Sequence, residues 1–189
     1  MRLLKIIIPC LLLSACILGK SQNAKFYTQS ATAAGVISAG YKGFIGINRV
    51  QLPKYIDRPQ MVTQNKDSAQ INVSEYNRWV EAPSVLTLRV LTENLSTLLP
   101  AAQIKANQFK GENFDWTVSV EIMKMDALLG EKAELTAWYT IRNNSKNIQV
   151  QQKFAGTLAI GKTYDDLAKG YSELLAQLSA DIAQTLISR

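Results

Sequence analysis

Histidine is absent from this chain of 189 residues, and cysteine occurs only twice, at Cys10 and Cys16. Without imidazole there is no Ser-His-Asp or Cys-His catalysis and no histidine general base. Zinc sites built on histidine are excluded, and two thiolates alone do not close a structural zinc site. No metal and no cofactor is expected. Charge is sparse as well: 19% of residues are charged against 47% apolar, with 21 Lys plus Arg facing 15 Asp plus Glu, a net of +6. That is a folded composition rather than a disordered one. The basic residues are scattered, so a nucleic-acid footprint is not expected. Gly35, Gly40, Gly43 and Gly46 fit no phosphate-loop spacing. The longest leading apolar run, Ile6 to Leu13, is about half of what a bilayer span requires.

What is present begins with that run. Arg2 and Lys5 precede it, which gives it the charge and length of a signal peptide. It ends in Leu13-Ser14-Ala15-Cys16, small residues directly before a cysteine. This resembles a bacterial lipobox, implying cleavage after Ala15 and a diacylglycerol on the Cys16 sulfur. The alternative is an ordinary secretory signal with an incidental cysteine. Residues 1–15 would then be removed together with Cys10, and Cys16 would become the lipidated N-terminus. The mature chain would carry neither thiol nor disulfide in an oxidising compartment. Ile17 and Leu18 stand where an Asp would signal inner-membrane retention, so the outer membrane is expected. Several acyl chains anchor firmly where one does not. Residues 16–43 are rich in Gly, Ser, Ala, Thr and Gln and read as a flexible tether of roughly 30 Å. The Phe26-Tyr27 pair could dock part of it onto the body.

Residues 44–189 read as a single domain. Ile45 and Ile47 alternate, then Val50 and Leu52 alternate in the opposite phase, which predicts a strand with a bulge near Asn48-Arg49. Short strands are expected at 61–64 and 70–73, around the turn Asn65-Lys66-Asp67-Ser68. Pro83 and Pro100 bracket a helix, with Val85, Leu88, Leu91, Leu95 and Leu98 as its buried stripe. Two alternating strands follow, Phe114 to Ile122 and Ala133 to Ile141, then a turn at Asn143-Asn144-Ser145 and a strand from Ile148 to Ile160. Thr163 with Asp166 makes a capping-box start for a closing helix whose buried face is Leu167, Tyr171, Leu174, Leu178, Ile182 and Leu186. The order is βββα-βββα. It predicts an α+β fold: a mainly antiparallel sheet of about six strands with two long helices on one face.

Two segments carry a resemblance. They are Val50-Gln51-Leu52-Pro53-Lys54-Tyr55-Ile56-Asp57-Arg58-Pro59-Gln60-Met61-Val62 and Glu75-Tyr76-Asn77-Arg78-Trp79-Val80-Glu81. With the lipobox and the closing helix, the chain resembles the ABC-type transport auxiliary lipoprotein family, PqiC-like members in particular, from about Tyr27 onward. Ala82-Pro83 departs from the Pro-Leu that relatives often have there. The resemblance implies an outer-membrane-anchored, periplasm-facing accessory subunit. Its implied partners are an MCE-domain protein and an inner-membrane component, and a homo-oligomeric ring is implied too. Such systems move lipids between membranes and support envelope integrity.

The motif residues Leu52, Pro53, Tyr55, Asp57, Arg58, Pro59, Arg78 and Trp79 have two readings. One is a locked turn packed on the sheet, since each proline biases its predecessor to extended backbone. In that reading Asp57 caps the turn, Arg58 pairs with Glu75 or Glu81, and Trp79 stacks on an arginine. The other is a surface that meets a partner or lipid. No catalytic residue is assigned: the adjacent Asp165-Asp166 pair suits a helix N-terminus. Two alternatives to the transport subunit remain, a stand-alone lipid-binding lipoprotein and a carboxylate-based envelope hydrolase.

Overall fold

Alternating hydrophobicity and turn chemistry give eight strands and two helices among the residues that the computed structural model describes, 22–107 and 112–189. The strands are β1 (Lys25–Tyr27), β2 (Phe44–Ile47), β3 (Gln60–Gln64), β4 (Ile71–Trp79), β5 (Gln103–Ala106), β6 (Trp116–Leu128), β7 (Lys132–Asn143) and β8 (Ile148–Ala159). The helices are α1 (Pro83–Leu98), between β4 and β5, and α2 (Tyr164–Ile187), at the end.

The strands form two sheets, a three-stranded one in the order β1-β4-β3 and a five-stranded one in the order β5-β2-β6-β7-β8. Here the expectation of one mainly antiparallel sheet of about six strands is corrected. Both sheets are mixed: β1 pairs with β4 in parallel, and β2 runs parallel to both β5 and β6. The antiparallel expectation holds for β3–β4, β6–β7 and β7–β8, which are joined by short turns. The parallel pairs join segments far apart in sequence, where no hairpin signal exists to read.

The α+β layering is as expected. Val118, Val120 and Ile122 of β6 and Leu135, Ala137, Tyr139 and Ile141 of β7 are buried beneath the helices. α2 lies on β7 and β8, α1 lies on β2 and β5, and the helices pack on each other. Thr163 accepts a hydrogen bond from the Asp166 amide while Asp166 accepts from the Thr163 amide, a reciprocal capping box that starts α2. The α1 stripe needs one change: Val85 is exposed, and Leu86 and Val90 join Leu88, Leu91, Leu95 and Leu98 inside.

Residues 16–43 were expected to be mostly tether, with the Phe26-Tyr27 pair able to dock part of it. In the described part, from residue 22, the pair does dock, as β1 on a sheet edge, and the docking extends further than expected, because the following strap crosses both helices. The Ser30 amide donates to Ser172 Oγ at 3.0 Å, the Ala33 amide to Asn94 Oδ1 at 3.0 Å, and the Ile37 amide to the Leu98 carbonyl at 2.9 Å. Gln29 is buried and accepts from Thr87 Oγ1. Low hydrophobicity hid this strap, which is held by polar contacts together with scattered apolar ones from Ala33, Ile37 and Tyr41. The expected signal peptide, 1–15, and the expected lipidation site, Cys16, lie outside the described residues.

Candidate functional site: the proline turn and its tryptophan junction

Leaving β2, the chain keeps contact with β6 through a slip. The Asn48 amide donates to the Val118 carbonyl, but the next donor to the Val120 carbonyl is Gln51, one residue later than an even ladder would give. That is the bulge expected near Asn48-Arg49. It turns Leu52 against the core, where it is half-buried. The Pro53 carbonyl then accepts from the amides of Ile56 and Asp57, both at 3.1 Å, closing a tight turn.

Each motif side chain has a definite destination. Tyr55 leaves its ring exposed while its hydroxyl donates to Asp126 Oδ1 at 2.9 Å; Gln64 donates to the other oxygen of the same carboxylate. Partial burial, and then this hydrogen bond, push the Tyr55 hydroxyl up to about 12. Asp57 does not cap its own turn. Its Oδ1 accepts from the Ser84 amide at 3.0 Å, at the second position of α1. Ala82, at the N-cap, has no side-chain oxygen to offer, and the first turn of α1 holds no acidic residue. Asp57 therefore supplies from elsewhere in the chain both the acceptor and the charge that a helix start favours. The Ala82-Pro83 departure is compensated by Asp57.

Trp79 corrects a second expectation. Its ring is buried and packs against Tyr171 of α2, with centroids 6.3 Å apart, and it stacks on neither Arg58 nor Arg78. Its amide donates to the Pro59 carbonyl at 2.7 Å, tying the two motif segments together. Ile56, Val62, Pro83, Met125 and Tyr171 close around it, leaving a void of about 10 Å³. The Tyr171 hydroxyl donates to the Met125 carbonyl, and burial pushes it well above the ordinary tyrosine range. Arg58 pairs with neither Glu75 nor Glu81. Glu81 is taken by Arg89 at 3.0 Å. Glu75 is carried outward, because four residues of β4, Ser74 to Asn77, stand opposite Met61 in a wide irregularity between β3 and β4. Arg58 and Arg78 remain half-exposed and without ion pairs among the described residues.

Turn and tryptophan thus form a junction where both sheets and both helices meet. Its inner side is packed, and its rim shows Tyr55, Arg58, Pro59 and Arg78. Its carboxylates are engaged, Asp57 with a helix amide and Asp126 with Tyr55 and Gln64. Asp126, Gln64 and Tyr171 are the participants missed in the sequence. Only the loss of alternation after Ile122 hinted at Asp126: a bulge at Met123 shifts β6 so that Met125 and Ala127 turn inward. A larger depression lies elsewhere, an open groove of about 650 Å³ between Phe26–Thr32, the end of β8 and the start of α2. Of its three carboxylates, Asp165 pairs with Lys169 at 2.6 Å and Asp166 serves the capping box, while Glu173 is exposed and without an ion pair among the described residues. Among the described residues no three acidic or cysteine side chains gather as metal ligands, and no helix is long and apolar enough to cross a membrane.

Residues 27–183 match the model of the family described as ABC-type transport auxiliary lipoprotein component. The chain belongs to this family. The match contains both motif segments and nearly every element of the auxiliary lipoprotein's fold. No curated protein matches it. Two solved structures share the fold. An uncharacterised protein superposes with a TM-score of 0.72 at 18% identity, over 87% of this chain and 99% of its own. A DUF330 protein from Xanthomonas campestris gives 0.70 at 12% identity, over 87% and 95%. A PelC dodecamer from Paraburkholderia phytofirmans gives only 0.43 at 12% identity, over 78% and 92%, and carries no argument. Membership of a transport auxiliary family agrees with the expectation of a non-enzyme.

Proposed function

We propose that this auxiliary lipoprotein is a non-enzymatic subunit of an MCE-type, Pqi-like system that carries lipid between membranes and supports envelope integrity. It is anchored in the outer membrane through acylated Cys16 and faces the periplasm. Its partners are an MCE-domain protein and an inner-membrane transport component, and it assembles with copies of itself as a ring. The observation that carries the reading is the family match across 27–183, directly downstream of a leader ending in Leu13-Ser14-Ala15-Cys16. The packing of the body supports it over the two alternatives. A lipid carrier needs an apolar space that buries most of its ligand; the void at the junction is only about 10 Å³, and the groove of about 650 Å³ is open to solvent. A carboxylate hydrolase needs two free acids facing one cleft, and of the groove's three acids Asp165 and Asp166 are already paired, which leaves Glu173 alone.

Crosslinking in intact cells followed by purification from membranes tests the role: an MCE protein is recovered with the wild type. Its absence from crosslinked material would remove the transport reading. The anchor is tested separately, since Cys16→Ala is expected to move the protein from the membrane fraction to the soluble periplasm. Identical fractionation of variant and wild type would overturn the anchor.

A further inference from the structure

Docking of β1 shortens the leash on this domain. Only nine positions separate Cys16 from Lys25, so whatever their arrangement they span at most about 30 Å.

The end of the molecule where the chain enters is well defined. Because β1 and β4 are parallel with Lys25 beside Asn77, the earlier part of β4 and the 65–70 turn lie on the side from which the chain arrives. Lys66 in that turn pairs with Glu131 in the β6–β7 turn, and the Tyr27 and Tyr164 rings, 6.4 Å apart, bring the start of α2 to the same end. Three large apolar side chains are exposed here: Phe26 (63%), Ile71 (45%) and Tyr76 (44%). The irregularity in β4 carries Tyr76 outward, and Phe26 sits level with Arg78 on the free edge of the sheet. Lys25 beside them has no ion pair among the described residues.

We infer, resting on the reading that Cys16 carries the acyl chains, that this pole with Lys25, Phe26, Ile71 and Tyr76 lies against the lipid bilayer surface. The leash selects the occupant, since it holds these side chains within reach of headgroups whether or not another protein is present. Phe26 and Tyr76 enter the interface, where aromatic rings gain from partial burial, and Lys25 meets anionic headgroups. The turn at Asn144–Asn147 is at the other end of β7, a strand of 12 residues or about 40 Å, and faces away.

The test uses the full acylated protein in vesicles of phosphatidylethanolamine and phosphatidylglycerol, with a fluorophore on a single introduced cysteine. The described residues contain no cysteine, and the Cys16 sulfur is blocked by its thioether. Lys25→Cys is expected to be strongly quenched by spin-labelled lipid, and Lys146→Cys hardly at all. Adding Phe26→Asp and Tyr76→Asp to the Lys25→Cys protein should lower its quenching by about twofold or more, because the apolar contact is replaced by charge. Equal quenching at the two positions, or no change with the aspartates in a protein that still floats with the vesicles, overturns the membrane contact. Failure of the acylated wild type to float overturns the anchor itself, and the contact with it.

Discussion

Asp57 shows how a residue's identity can be legible while its partner is not. The Pro53 to Pro59 run announces a rigid turn, yet the hydrogen bond that matters reaches Ser84, 27 positions away. Asp57→Ala leaves the α1 start without its acceptor and is expected to cost about 1 kcal/mol, with Asp57→Asn costing less. Denaturant midpoints of the two variants check this, and equal midpoints would count against the cap. Tyrosines make a second prediction at this scale. Burial is the largest cause for Tyr55 and Tyr139, and each is raised from 10.0 to about 12. A raised folded value means the neutral hydroxyl is the form the fold prefers. The stability it contributes is whole below pH 10 and is lost as pH climbs towards 12. Urea midpoints should therefore fall over that window, and Tyr55→Phe should flatten part of the fall. An unchanged slope in that variant would sink the assignment.

Among the elements, those with a strong internal period were readable. The capping box, the buried face of α2, and the β6–β7–β8 meander all follow from 3.6 and 2.0 periodicities. Even the slip between Ile47 and Val50 was visible as a change of phase. β1 and β5, of three and four residues, are too short to show any period. Gly46 belongs to this scale because a whole strand depends on it. A Cβ there would lie 2.6 Å from the Phe114 ring, which is itself buried and packed on Phe44 with centroids 4.4 Å apart. Gly46→Ala must push that ring aside where β2 pairs with β6, and should destabilise by about 1–3 kcal/mol. Thermal melting reads the loss, and a variant as stable as the wild type would contradict the close approach.

For the molecule as a whole, the strap and the two mixed sheets make one body of what composition divides into tether and domain. Its motif serves two ends, since the inner half locks the junction and the outer half remains as surface. If the rim of Tyr55, Arg58 and Arg78 meets the transport partner, then Arg58→Glu with Arg78→Glu should reduce crosslinking to it severalfold. The melting temperature should hardly move, because neither arginine has an ion pair to lose and surface changes of this kind cost about 0.5 kcal/mol or less. Undiminished crosslinking would return the rim to plain surface.

Local chemistry determined what the sequence alone could settle: a chain without imidazole, helices between recognisable caps, a hairpin meander, and two segments specific enough to indicate the family. All of these depend on neighbours within a few residues, where periodicity and capping leave a direct imprint. Tertiary structure decided the parallel pairings, the docking of the strap by Gln29 and Asn94, the partner of Asp57 and the burial of Trp79 on Tyr171. Each is a contact between distant segments, and its energy comes from geometry that exists only once the chain has closed. The missing histidine narrowed the chemistry from the start, but it took the folded junction to show Asp57 at work as a cap and Asp126 as a hydrogen-bond acceptor.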